Sequence, residues 1–313
     1  MDQRTPNLFI IGAPKAGTTF VHHALALDDQ VYMSEVKEPG FFTNSRDYIR
    51  GLEYYLNAYF ARAGGRAVRG ESTPWYLYSA MARRRIADVA FAEEPRFLVL
   101  VRRPSTRALS MFRDQVRTNR ERRTFEQAVD DELALLQTDE LHPDVRKRYV
   151  WCGLYAEHIE RWRADYGEDN VHVAVFEDLL SEPEAVWTEL GAFLGAPLGP
   201  SRFDDVSERD RNPRGRLRWP RLDAGIRSLE GRDNPVLEGV KRALPPGLHR
   251  RVLQRIGRLN RNPEPLVDEA MNDELQERID HSCQADTQRL EKIIGRSLGW
   301  SADTGIPPRL SPP

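Results

Sequence analysis

Six consecutive residues, Pro14-Lys15-Ala16-Gly17-Thr18-Thr19, combine what is needed to hold a phosphate-like anion. They follow an apolar run, Leu8-Phe9-Ile10-Ile11-Gly12, and precede a helical pattern carried by Phe20, Val21, Ala24 and Leu25. A strand, a loop and a helix N-terminus in that order leave backbone N–H groups pointing outward, and the helix dipole favours negative charge there. Lys15 adds a full positive charge, and Thr18 and Thr19 add hydroxyl donors. The loop is not a Walker A motif, in which the lysine follows the last glycine and the next hydroxyl residue holds Mg²⁺. Here Lys15 precedes Gly17, and nothing fills the Mg²⁺-binding place. An ordinary strand-to-helix turn is the bland alternative; the residue order favours an anion site.

Four other stretches carry groups capable of chemistry. Glu35-Val36-Lys37-Glu38-Pro39-Gly40-Phe41-Phe42 sets two carboxylates and a lysine beside two aromatic rings, in a loop forced by proline and glycine. On residue types alone this is a solvated charged loop anchored by Phe41 and Phe42. Glu71-Ser72-Thr73-Pro74-Trp75-Tyr76-Leu77-Tyr78 is aromatic enough either to wall a pocket or to pack a core. Arg102 ends an apolar strand, and Ser110 lies about two helical turns beyond it. Residues 204–219 are basic, with Arg209, Arg211, Arg214, Arg216 and Arg218; such a run is often a solvated face. His142 suits a solvated loop, and His158 suits the packed face of a helix.

The elements that must position these groups follow from periodicity. Short apolar runs predict buried parallel strands at Asn7–Gly12, Gln30–Ser34, Ala67–Glu71, Arg96–Val101 and Val171–Phe176. Helical spacing predicts helices over Thr18–Leu27, Tyr48–Phe60, Ser105–Gln115, Gly153–Tyr166 and Pro183–Leu194, with Thr124 capping a charged helical stretch in 116–148. Ligands bind at the carboxyl ends of such strands, where every candidate group lies. The chain has 313 residues, 40% of them hydrophobic, enough for one large α/β domain. A net charge of −2 gives no global attraction to nucleic acid or to a membrane surface. Arginine greatly outnumbers lysine, which suits bidentate phosphate recognition. Cys152 and Cys283 form no metal spacing and no disulfide framework. The start of the chain carries no signal-peptide core and no run of transmembrane length, so a soluble cytoplasmic protein is expected.

The ordered set of motifs resembles the sulfotransferases that use 3′-phosphoadenosine-5′-phosphosulfate (PAPS), in the bacterial and glycan-modifying branch. Pro14-Lys15-Ala16-Gly17-Thr18-Thr19-Phe20 looks like that family's 5′-phosphosulfate loop. Lys37-Glu38-Pro39-Gly40-Phe41-Phe42 resembles its Lys-Glu-Pro-His-Phe-Phe segment, with glycine where histidine is common. The Arg102, Pro104, Arg107 and Ser110 pattern resembles its 3′-phosphate motif, with Arg102 and Ser110 as the binders. The Asn212–Arg216 run resembles its nucleotide-covering loop, which makes Arg214, Gly215 and Arg216 candidates. Heparan-type members carry a functional lysine where this chain has Ser72, a departure that weakens a heparan-like acceptor. Family members that work in the Golgi begin with a membrane anchor, which this chain lacks.

The resemblance implies a P-loop-like three-layer α/β/α fold around a central parallel sheet. It implies one domain over residues 1–300, with a nucleotide-binding core at about 7–217, a helical part at about 218–300 and a disordered tail at 301–313. It implies in-line sulfuryl transfer from PAPS to a hydroxyl or amine of a glycan, glycolipid or small natural product, with adenosine 3′,5′-bisphosphate (PAP) leaving. Glu38 is then the general base and Lys15 the charge stabiliser, with no metal. Lys37, Phe41, Trp75 and Tyr76 are the acceptor-side candidates. A P-loop kinase or other nucleotide-dependent phosphotransferase is the alternative, although a Mg²⁺-holding Asp is missing where Arg102-Arg103 end their strand.

Overall fold

The computed structural model describes residues 2–138, 140–206, 216–217, 261–262 and 271–300. Five strands form one sheet: β1 (Leu8–Gly12), β2 (Val31–Met33), β3 (Val68–Ser72), β4 (Arg96–Val101) and β5 (Val171–Val175). Their order is β2-β3-β1-β4-β5, and every pairing is parallel. Helices flank the sheet, giving the α/β architecture expected. β1 is central, paired to β3 on one side and β4 on the other. Its residues are buried throughout, which is why it reads as an unbroken apolar run.

β3 lies one residue later than its expected position and is buried along its length despite Arg69, Glu71 and Ser72. Each of the first two has partners. Arg69 Nη2 donates to Glu93 Oε1 at 2.7 Å and its Nε donates to the Thr5 carbonyl at 2.9 Å. Glu71 accepts three hydroxyls, described below. The helix expected over Tyr48–Phe60 is two: α2 (Ser45–Tyr48), capped by the Asn44 side chain, and α3 (Gly51–Tyr59).

α1 (Thr18–Ala26) leads from β1 towards β2, and α4 (Ala80–Ala87) stands between β3 and β4. α5 (Pro104–Arg117) leaves the end of β4 with Pro104 in its first turn, where the missing N–H costs nothing. α6 (Phe125–Gln137) begins with a capping box between Thr124 and Gln127. α7 (Ala156–Tyr166) precedes β5; α8 (Phe176–Ser181) and α9 (Pro183–Leu194) follow it. His158 of α7 packs edge-on between Tyr78 and Trp151, and burial lowers its pKa to about 4, so it is a neutral core histidine. None of the described helices is long and apolar enough to cross a membrane.

Two later helices, α10 (Asp273–Ser282) and α11 (Gln284–Ile294), close onto the sheet domain. Asp280 of α10 accepts from Arg103 Nε at 2.7 Å, from the Ser105 amide at 3.1 Å and from the Ser105 hydroxyl at 3.0 Å. This carboxylate therefore fixes the start of α5. Asp286 of α11 accepts from the Ala156 amide at 3.0 Å and so fixes the start of α7. A two-residue strand β6 (Arg216–Leu217) pairs antiparallel with β7 (Arg261–Asn262) and runs beside α5.

Asp280 is almost wholly buried against Arg103. Asp280→Ala should lower the unfolding free energy by about 3 kcal/mol, the order expected when one partner of a buried ion pair is removed. Urea denaturation checks this; an unchanged midpoint would show that the clamp contributes nothing.

Candidate active site

The site is built at the carboxyl edge of the sheet, where the chain leaves β1. The loop is pinned from below: the Ala13 amide donates to the Leu100 carbonyl of β4 at 2.7 Å, and the Thr73 amide donates to the Ile10 carbonyl at 3.0 Å. Ala13, Pro14 and Ala16 are buried and form the floor. Lys15 and Gly17 take left-handed φ values of 70° and 91°. α1 then starts at Thr18 with no side chain capping it. The N–H groups of Lys15, Gly17, Thr18 and Thr19 have no backbone acceptor among the described residues. Unpaired donors at a helix N-terminus are a cradle that could hold an anion.

Gly17 is required for two reasons. Its φ disfavours a side chain, and a Cβ there would stand 2.6 Å from a ring carbon of Phe176. Phe176, the first residue of α8, has a second contact: the Arg102 guanidinium lies over its ring, 4.6 Å from the centroid. Arg102 Nη1 also donates to the Lys15 carbonyl at 3.3 Å, and the Tyr155 hydroxyl donates to the Arg102 carbonyl at 2.7 Å. One aromatic ring thus holds the loop's last glycine and the arginine at the end of β4 against each other. Ser110 lies farther along α5, partly exposed. Arg107 is instead wholly buried, donating to the Tyr149 carbonyl and to the Met111 sulfur, so its role is packing.

Lys15 points towards α5. Its Nζ is 3.8 Å from Asp114 Oδ1, and Arg117 Nη2 reaches the same oxygen at 2.5 Å. Burial lowers the Lys15 pKa, and Asp114 and Glu38 act in the opposite direction. The ammonium therefore lies within the fields of α5 and of the acidic loop together. That loop follows β2 and continues alongside β3, with the Glu38 amide donating to the Ser72 carbonyl at 2.9 Å. Glu38 has a left-handed φ of 59°, and its Oε1 is 2.7 Å from Lys37 Nζ. Its side chain is 44% exposed. Gly40 has a φ of 65°, and a histidine there would be strained by its backbone alone.

The acceptor-side candidates separate. Trp75 is half-buried. Lys37 stays partly accessible beside Glu38. Phe41 and Tyr76 are in the core: they are 1% and 0% exposed, and Phe41 stacks on Tyr55 at 4.5 Å. Phe20 stacks on Phe203 at 5.1 Å. Arg214 and Gly215 lie outside the described residues, and only the strand position of Arg216 is described. The sequence reading missed Asp114, Arg117 and Phe176. Asp114 falls one helical turn after Ser110, a spacing that was available; Phe176 gives no local signal, since it acts through tertiary contact.

Comparison with known proteins fits this geometry. A family model described as "Sulfotransferase domain" matches residues 5–210. Heparan sulfate glucosamine 3-O-sulfotransferase 5 of Mus musculus is 26% identical over 202 residues, 64% of this chain and 57% of that protein. Heparan sulfate glucosamine 3-O-sulfotransferase 6 of Homo sapiens is 30% identical over 194 residues, 62% of this chain and 53% of that protein. The chain thus spans little more than half the length of these curated relatives. A crystal structure of a sulfotransferase from Alicyclobacillus acidocaldarius matches with a TM-score of 0.63 over 95% of this chain and 98% of that one, at 22% identity, a likeness of fold. Nothing in these comparisons supports the phosphotransferase alternative.

Gly17→Ala should cost about 2 kcal/mol of stability through φ strain and the clash with Phe176. In the double variant with Phe176→Ala the steric part disappears, so the two losses should fall short of additivity. Additive losses in a double-mutant denaturation cycle would contradict the contact.

Proposed function

The chain belongs to the sulfotransferase domain family, and on that premise we propose that it moves a sulfuryl group from PAPS to a hydroxyl or amine of a glycan, glycolipid or small natural product. The observation that carries this is the convergence at one strand edge of an uncapped amide cradle, the Lys15 ammonium, the stacked Arg102 guanidinium and an accessible Glu38 carboxylate. The family motif and the chemistry of the donor set agree: unpaired N–H groups and two cations fit a dianionic nucleotide end.

PAPS supplies an activated sulfuryl group joined to a stable leaving bisphosphate. The cradle amides of Lys15, Gly17, Thr18 and Thr19 and the Lys15 ammonium bind its phosphosulfate end and meet the negative charge that grows on the bridging oxygen. Arg102 and Ser110 take the 3′-phosphate, and the Arg214-Gly215-Arg216 run closes over the nucleotide. Glu38 removes the acceptor's proton as the acceptor oxygen or nitrogen approaches sulfur, and the proton remains on the carboxyl group. Lys37, 2.7 Å from Glu38, orients it. With Glu38 exposed in the free protein, the bound acceptor provides the desolvation that the protein does not. Most of the acceleration then comes from positioning and fixed charge, as in phosphoryl transfer.

The proposal includes one domain through residue 300, supported by the Asp280 and Asp286 contacts that tie α10 and α11 to α5 and α7. It also includes a cytoplasmic setting, supported by two buried free cysteines, Cys152 and Cys283. The acceptor is a carbohydrate or a hydroxylated small molecule. Ser72, fully buried in β3, offers no cation for a polysaccharide at that position.

Lys15→Ala and Glu38→Gln should each reduce turnover by at least about 100-fold, the range for loss of a charge stabiliser or a general base. Transfer of labelled sulfate from PAPS across a panel of glycans and phenols measures this. Wild-type rates from both variants would contradict the roles.

A further inference from the structure

We propose that Glu71 is a positioning residue for Glu38: its buried carboxylate orients two hydroxyls that hold the acidic loop from beneath. This rests on the sulfotransferase reading for its catalytic consequence, though not for its structural one.

Glu71 is fully buried in β3 and cannot touch an acceptor. Its Oε1 accepts from the Tyr55 hydroxyl at 2.8 Å and the Tyr76 hydroxyl at 3.2 Å, and its Oε2 accepts from the Thr73 hydroxyl at 2.6 Å. Two of those hydroxyls have a second bond above them. The Thr73 oxygen accepts from the Gly40 amide at 3.3 Å, and the Tyr76 oxygen accepts from the Phe42 amide at 3.2 Å. A hydroxyl has one proton, so it can turn a lone pair to a backbone N–H only if that proton goes elsewhere. The ionised carboxylate takes both protons and leaves both lone pairs facing the loop. Glu38 has its left-handed φ two residues before Gly40, so the anchored amides fix the segment that aims it.

The direction of these bonds depends on charge. A protonated carboxyl, or a Gln, has its own hydrogen to donate, and the hydroxyl that accepts it must turn its own proton away from the carboxyl; at Thr73 or Tyr76 that turns it towards a loop N–H. Burial raises the Glu71 pKa to about 7, with the three hydroxyl bonds opposing. The titratable groups facing it are Tyr55 and Tyr59 of α3 and Tyr76 of the Pro74–Tyr78 turn, all raised above the usual tyrosine range. Glu71 is thus the member of this network that changes charge near neutrality, and the brace is intact above that pH and released below it.

The test compares Glu71→Gln, Tyr76→Phe and Tyr55→Phe. Tyr55 bonds the same carboxylate oxygen and has no loop amide above it, so Tyr55→Phe controls for disturbance of the cluster. Amide hydrogen exchange at Gly40 and Phe42 should accelerate at least tenfold in Glu71→Gln. In Tyr76→Phe the same acceleration should occur at Phe42, and Tyr55→Phe should change neither site. In sulfuryl transfer, Glu71→Gln and Tyr76→Phe should lower kcat at least tenfold with PAP affinity unchanged. The wild-type rate should fall as pH drops through about 7, an acid limb missing from Glu71→Gln. Unchanged exchange in Glu71→Gln and Tyr76→Phe overturns the brace. Altered exchange with unchanged kcat overturns the positioning role. The exchange pattern in a protein that transfers no sulfuryl group supports the brace and overturns the functional reading instead.

Discussion

β1 lies between β3 and β4 with all three strands parallel, and every functional group depends on that arrangement. Parallel strands deliver their carboxyl ends to one edge. The reversal of strand order at β1 opens a crevice there, the usual ligand site of an open α/β sheet. The Glu38 loop, continuing from β2, reaches it beside β3. The Lys15 loop leaves β1, Arg102 ends β4, and Phe176 follows β5. Bonds between neighbouring strand ends then fix the relative heights: Ala13 to Leu100, Thr73 to Ile10, and Glu38 to Ser72. A one-residue slip of β1 would break the first two of these anchor points together.

The charges at this edge are held in exchangeable pairs. Lys15 shares Asp114 with Arg117, and Lys37 shares Glu38. Partly exposed pairs of this kind contribute about 0–1 kcal/mol. A charge-assisted bond to an oxyanion contributes about 1.5–3 kcal/mol. A sulfate or phosphate oxygen therefore competes favourably for Lys15. The pairing keeps the ammonium from being buried alone and still leaves it available. Arg102 differs, since ring stacking and the Lys15 carbonyl hold it in place before any ligand arrives. Fixed and exchangeable cations thus stand side by side.

Much of this was legible in the sequence, for physical reasons that differ by element. β1 and β4 are buried on both faces, so their apolar runs stand out, and the cradle follows directly from β1. β3 was displaced by one residue because Arg69, Glu71 and Ser72 are buried polar groups, satisfied or enclosed only by tertiary neighbours. Phe41 and Tyr76 were acceptor-side candidates because aromatic residues serve pockets and cores equally well; the Phe42, Tyr48 and Tyr55 rings enclose Phe41, and the Phe42 ring packs on Tyr76. Phe176 was invisible as a site residue, since it acts on a loop distant in sequence, whereas Asp114 offered only its one-turn spacing from Ser110. The buried acid beneath Glu38 lay within a quoted motif, yet nothing local marked Glu71 as different from a solvated carboxylate.

The most direct measurement is calorimetric titration of PAP, ATP and ADP in EDTA against the wild type and Arg102→Ala. The central claim is that the cradle and Arg102 together recognise a nucleotide bearing phosphates at both its 5′ and 3′ positions. PAP should bind without metal and in preference to ATP and ADP, and Arg102→Ala should weaken it at least tenfold, about the contribution of one charge-assisted pair. A preference for ATP, or binding that appears only with Mg²⁺, would contradict the account.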